Sequence, residues 1–212
     1  MKSPRVSWKT TTHRWATDVD VDHLLDVRRR ASWLAADDAT HLVLEVLAYA
    51  DEEAADRGET GSVQVAVHDG EVSIVDDGRG TDTRQDESGV IVRKPVMATK
   101  DVRFFDASTP PLLPDGRPRR GMSVVAAMSK RLTHENHRND GGWSQTYRYG
   151  IPEDELVPLE LSGRTGTTVR FRCSGIESLS ADTLRALSAH FEHIEVTISV
   201  APASNRATNP SR

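Results

Sequence analysis

Glu45 stands inside an apolar run, His41-Leu-Val-Leu-Glu-Val-Leu-Ala-Tyr-Ala-Asp-Glu-Glu-Ala54. At helical spacing Tyr49 and Glu52 share its face, one and two turns on. A carboxylate held there can take a proton from an attacking water. The same residues also make an ordinary solvated acidic face. Further on, Val75-Asp76-Asp77-Gly78-Arg79-Gly80 ends an alternating segment. Asp76 at a strand end can accept a hydrogen bond from an exocyclic amine. Gly78 and Gly80 let the backbone turn and let a flat ligand approach, although an Asp-Gly pair is also common turn chemistry. A third stretch, Gly116-Arg-Pro-Arg-Arg-Gly121, precedes Met122-Ser-Val-Val-Ala-Ala-Met-Ser129. A glycine before a helix start, with Arg117, Arg119 and Arg120 nearby, suits an anion; a solvated basic loop is the alternative. The fourth, Thr165-Gly166-Thr167-Thr168-Val-Arg-Phe171, offers a hydroxyl that can share a water or an amine with Asp76.

The elements that position these residues follow from periodicity. Residues 40–57 carry Leu42, Val43, Val46, Leu47, Ala50 and Ala54 on one stripe, which predicts a helix capped by Asp38 or Thr40. Residues 63–67 and 72–75 alternate around His68-Asp69-Gly70, a hairpin signal. Residues 85–120 lack a regular period and read mostly as a long loop. A short helix is expected over 121–130, with strands near 131–136, 143–149 and 167–173. A helix over 180–192 would bury Leu184, Leu187 and Phe191, and a last strand is expected over 194–200. Without a βαβ alternation, this predicts an α+β fold, a two-layer sandwich of a mixed, mostly antiparallel sheet covered by helices on one face. Residues 1–20 read as a flexible N-terminal arm, 21–200 as one domain, and 201–212 as a disordered tail.

The four segments, in this order, resemble the GHKL (Bergerat-type) ATPase domain that begins DNA gyrase B and its topoisomerase IV counterpart. The resemblance covers roughly residues 22–172. Leu24-Leu-Asp-Val-Arg-Arg-Arg30 looks like the segment before the family's first long helix, and Leu44-Glu45-Val46 like the opening of its catalytic helix. Asp76-Asp-Gly-Arg-Gly80 matches the adenine-binding motif. Gly121 through Ser129 is similar to the end of the ATP lid and the helix after it, and Gly166-Thr167 through Phe171 to the last motif. The resemblance implies that Glu45 is the general base. It implies that Asp76, with Thr167 beside it, receives the adenine amine of ATP or another adenine nucleotide. Gly78, Arg79 and Gly80 would line the pocket, and a lid over about 98–121, bounded by Gly116 and Gly121, would carry Arg119 and Arg120 to the phosphates.

The chain departs from that family where the chemistry is most demanding. Tyr49 replaces the asparagine that holds Mg²⁺ in the family, and Ala48 the aspartate before it. A phenol is a poor substitute for an amide oxygen toward a hard cation, so no metal ligand set and little or no hydrolysis are expected. Arg119 replaces the inner glycine of the family's lid, and Pro118 and Arg120 flank it; the arginines would replace the metal, block the phosphate space or pair with Glu45. The resemblance ends before the domain that gives gyrase its phosphate-sensing lysine, and the polar ending points to a short stand-alone protein without topoisomerase parts.

A net charge of −5 argues against broad nucleic-acid binding. The N-terminal stretch lacks the apolar segment of a signal peptide, no apolar run is long enough to span a membrane, and Cys173 is the single cysteine, which together suggest a cytoplasmic protein. Three functions fit: a nucleotide-binding domain with weak or no hydrolysis, an interaction module or decoy acting on a gyrase-type protein, or a binder of gyrase-directed small molecules such as aminocoumarins. A homodimer or a gyrase-type partner is compatible with the resemblance.

Overall fold

A computed structural model of the protein describes residues 19–32, 38–81, 84–85, 91–92, 97–153 and 156–201. Most of the expected arm (1–18) and of the expected tail (202–212) lies outside them. The long helix is α2, Ala39–Arg57. Asp38 caps it by accepting the Thr40 N–H at 2.9 Å. Its apolar stripe buries Leu42, Val43, Val46, Leu47 and Ala54 against the sheet. Ahead of it runs α1, Val21–Arg29, capped by Asp20; its periodicity is masked by charged residues, and only Leu24, Val27 and His23 turn inward.

The expected hairpin forms from β1, Gly61–His68, and β2, Glu71–Asp76, with Asp69 and Gly70 at the turn in left-handed conformation. Arg84–Gln85 (β3) and Ile91–Val92 (β4) pair separately as a small antiparallel ribbon. The segment read as loop also contains a single helical turn, α3, Val102–Phe105. After it come α4 (Met122–Met128), β5 (Arg131–Arg138), β6 (Gly141–Arg148), β7 (Ile151–Pro152) and β8 (Val157–Leu159). The chain closes with β9 (Gly166–Arg172), α5 (Ala181–Ser188) and β10 (Ile194–Val200).

Among the described residues the main sheet has eight strands in the order β10-β1-β2-β9-β5-β6-β7, with β8 also on β6. Only β1 and β10 run parallel; the other pairings are antiparallel. Register sets Val65, Ile74 and Val169 in one row facing the helices, where they join Leu132, Phe171 and Tyr147 in the core. The alternate row, Gln64, Thr168 and Glu135, faces the other side, because successive strand residues point oppositely. This is the α+β sandwich expected from the sequence.

α5 ends four residues earlier than the periodicity predicts. The Ser188 hydroxyl takes the Arg185 carbonyl, and the His190 ring lies 3.1 Å from the Ala186 carbonyl, so side chains satisfy the last carbonyls in place of another turn. Leu184 is fully buried, while Leu187 and Phe191 are partly covered.

Candidate functional site

The β2 strand delivers Asp76 to the sheet end, and β9, its neighbour, starts there with Gly166. Asp76 Oδ1 accepts the N–H of Gly78 at 3.0 Å and of Thr167 at 3.0 Å. Its other oxygen, Oδ2, accepts the Thr167 hydroxyl. A carboxylate has about four acceptor sites, so one remains for an incoming amine. The second and fourth motifs, ninety-one positions apart, therefore meet on one carboxylate. Gly166 is needed for that approach: it sits at φ +114°, and an added Cβ would lie 2.1 Å from the Asp76 carbonyl oxygen. Gly80, at φ +76°, is similarly confined, 2.4 Å from the His137 carbonyl for the same added atom. The Asn136 amide then clamps the following residue, accepting from Thr81 N–H at 2.6 Å and donating to its carbonyl at 3.1 Å.

Beside Asp76, Glu53 closes the end of α2. It accepts the Arg79 N–H at 3.0 Å, and the exposed Arg79 guanidinium lies 3.4 Å away. Burial pushes the Glu53 carboxyl up; the Arg79 N–H pulls it down, and the Asp76 charge adds to the rise. Ala50, Glu53, Asp76 and Gly78 line a shallow cleft of about 220 Å³, counting the part open to solvent.

Two turns back along α2 the surroundings change. Glu45 is fully buried. Its Oε1 accepts the Arg120 N–H at 2.5 Å and its Oε2 the Gly121 N–H at 2.8 Å. The first and third motifs thus also meet, with the helix carboxylate tied to the backbone that opens α4. One turn before it, His41 is buried between two carboxylates. Its Nδ1 is 2.6 Å from Asp115, and its Nε2 is 3.4 Å from Glu45. Burial would lower its pKa, but the hydrogen bond to Asp115 and the charges of Glu45 and Asp115 outweigh that and raise it to about 9. Burial would raise the Asp115 carboxyl, but the His41 bond wins and holds it below its ordinary value.

The polar residues of α2, together with its cap Asp38, namely Asp38, His41, Glu45, Tyr49 and Glu52, recur at three- and four-residue spacing, so they form one stripe. Each is engaged by residues 101–121. Asp38 pairs with Arg117 at 2.8 Å. The Tyr49 hydroxyl donates to Asp101 at 3.0 Å, and burial, then the Asp101 charge, keeps that phenol protonated far above its usual range. Glu52 takes Arg119 in a two-pronged pair at 2.5 and 2.9 Å. Arg119 is only 5% exposed, and its guanidinium lies 4.7 Å from the Tyr49 ring centre and 4.5 Å from that of Phe104. Arg103 pairs with Asp101 at 2.8 Å.

The residues expected in a site thus fall into two groups. Asp76 and Gly78 line the cleft; beside them Thr167 bonds Asp76, the Arg79 N–H bonds Glu53, and Gly80 lies against the His137 carbonyl. Glu45, Arg119, Arg120 and Gly121 gather where residues 119–121 meet α2, with Arg120 contributing its N–H to Glu45 while its guanidinium donates to the Phe104 carbonyl at 3.1 Å. Gly116 joins neither; it lies in an exposed turn whose N–H bonds the Leu113 carbonyl, and an added Cβ would meet nothing. His41, Asp101, Asp115 and Glu53 escaped the sequence reading. His41 had a usable signal, because it stands one turn before Glu45 on the same face.

No family model matches the chain. Among curated proteins it is similar to DNA gyrase B. The Haloferax volcanii protein is 31% identical over 159 residues, covering 68% of this chain and 24% of that protein. The Mycobacterium tuberculosis protein is 34% identical over 131 residues, covering 62% and 19%. The mitochondrial protein of Arabidopsis thaliana is 32% identical over 187 residues, covering 80% and 25%. The chain contains a region related to DNA gyrase B, and it spans about a quarter or less of the length of these relatives. Among the described residues no helix is long and apolar enough to cross a membrane.

Proposed function

We propose that this chain is a gyrase-B-like domain of the GHKL type that binds an adenine-type ligand and hydrolyses ATP weakly or not at all. The observation that carries the reading is the convergence on Asp76: a strand-end carboxylate, oriented by Gly78 and by both donors of Thr167, with an acceptor site left for an exocyclic amine. Similarity to DNA gyrase B over most of the chain supports it.

The residues present do not fit the Mg²⁺ that the family resemblance implies. Tyr49 presents a hydroxyl that donates to Asp101, where a hard cation needs oxygen acceptors. Both oxygens of Glu45 are committed to backbone N–H groups, and no part of it reaches solvent. A general base must reach the water it activates, and in this arrangement Glu45 holds the lid instead.

The test is an amide NMR titration with adenosine. Shifts concentrated at Gly78, Gly80 and Thr167 support the reading. No shifts, or shifts confined to another face of the sheet, contradict it.

A further inference from the structure

The lid residues decide which part of a ligand the site can hold, given the adenine-type reading above. We propose that the site selects a phosphate-free ligand, a nucleoside or another neutral adenine-like heterocycle, because carboxylates of this chain already occupy the groups that would hold phosphates. Arg119 is held by Glu52, Arg103 by Asp101 and Arg117 by Asp38. The N–H groups of Arg120 and Gly121 are held by Glu45. Each is a charge-assisted bond, the stronger class of hydrogen bond.

Arg119 makes the selection sharp. It is buried, and its guanidinium is fixed between the Tyr49 and Phe104 rings as well as by Glu52. A diphosphate or triphosphate would have to displace Glu52 and Glu45, then sit beside the released carboxylates. Like charges brought that close repel strongly in a partly buried site. The Asp76 end imposes no such exchange. Asp76, Thr167 and Gly78 are already arranged around each other, and a neutral heterocycle meets them without breaking an ion pair. A neutral ligand also has no need of a divalent cation. The carboxylate of Glu52 thus acts as the chain's own substitute for a phosphate on Arg119.

Calorimetric titration with adenosine, ADP and ATP, in chelator and then in Mg²⁺, tests this. The purified protein is compared with Glu52→Gln, whose side chain is 42% exposed and can be changed without opening the core. The expected result is that adenosine binds more tightly than ADP or ATP, by roughly tenfold or more, and that Mg²⁺ changes nothing. In Glu52→Gln, ATP tightens by roughly tenfold or more relative to adenosine, whose affinity is unchanged. ATP binding as tightly as adenosine, or tighter, in the unmodified protein overturns the proposal, and so does an unchanged ratio in the variant. Failure of adenosine and ATP alike to bind the unmodified protein defeats the adenine-type reading itself, a separate result from reversed selectivity.

Discussion

Raising the pH through His41's titration should loosen the contact of α2 with residues 101–121 and lower the stability of the whole domain. His41 bridges α2 and the lid through Asp115 at 2.6 Å and lies 3.4 Å from Glu45. Its pKa rises from 6.5 when free to about 9 in the folded chain. Because the folded value is the higher one, the charged ring stabilises the fold in full below pH 6.5, and this contribution is lost as pH rises through about 9. The difference corresponds to about 3 kcal/mol, at roughly 1.4 kcal/mol per pH unit. The lowered pKa of Asp115 is the same bond seen from its partner and adds nothing to that figure. The assay is urea unfolding at intervals between about pH 6 and pH 10, for the protein and for His41→Gln. The protein's free energy should fall by about 3 kcal/mol across that range, and the variant's curve should be flatter by most of that amount. Parallel curves would refute the bridge, since every other titrating group is common to both chains.

Two further outcomes follow from the lid. Glu45→Gln should destabilise the fold by about 2–4 kcal/mol in urea, because the new amide sets its NH₂ against the Arg120 or Gly121 N–H; unchanged stability would mean that Glu45 does not clasp the lid. Phosphate release at saturating ATP and Mg²⁺ should not exceed that of Glu45→Ala, since Glu45 has no exposure to water and Tyr49 is bonded to Asp101; turnover that this substitution abolishes would show that the lid opens into a working arrangement.

The sequence made some of this arrangement legible and concealed the rest for physical reasons. α2, the β1–β2 hairpin and β10 carry clean helical or alternating patterns because each buries one face. α3, β7 and β8 span two to four residues, too few to show a period. α1 has only a few inward residues among charges. The parallel pairing of β10 with β1 joins segments more than a hundred residues apart and leaves no local trace. At the site, Asp76 and Thr167 could be named because glycines and a strand end mark them. The lid pairs could not. Glu52 with Arg119 and His41 with Asp115 join polar residues across 67 and 74 positions, and nothing in their local spacing distinguishes them from solvated charges. The lid arginines take partners the sequence did not suggest: Arg119 pairs with Glu52, Arg117 with Asp38, and Arg120 meets Glu45 through its backbone N–H rather than its guanidinium.

The central claim is that Asp76 is the ligand anchor, and Asp76→Asn tests it most directly. Adenosine affinity, measured by calorimetry on both proteins, should weaken in the variant by about 1.5–3 kcal/mol, the usual worth of a hydrogen bond to a charged group. That is roughly a ten- to hundredfold rise in Kd. Equal affinity for the two proteins would contradict the account.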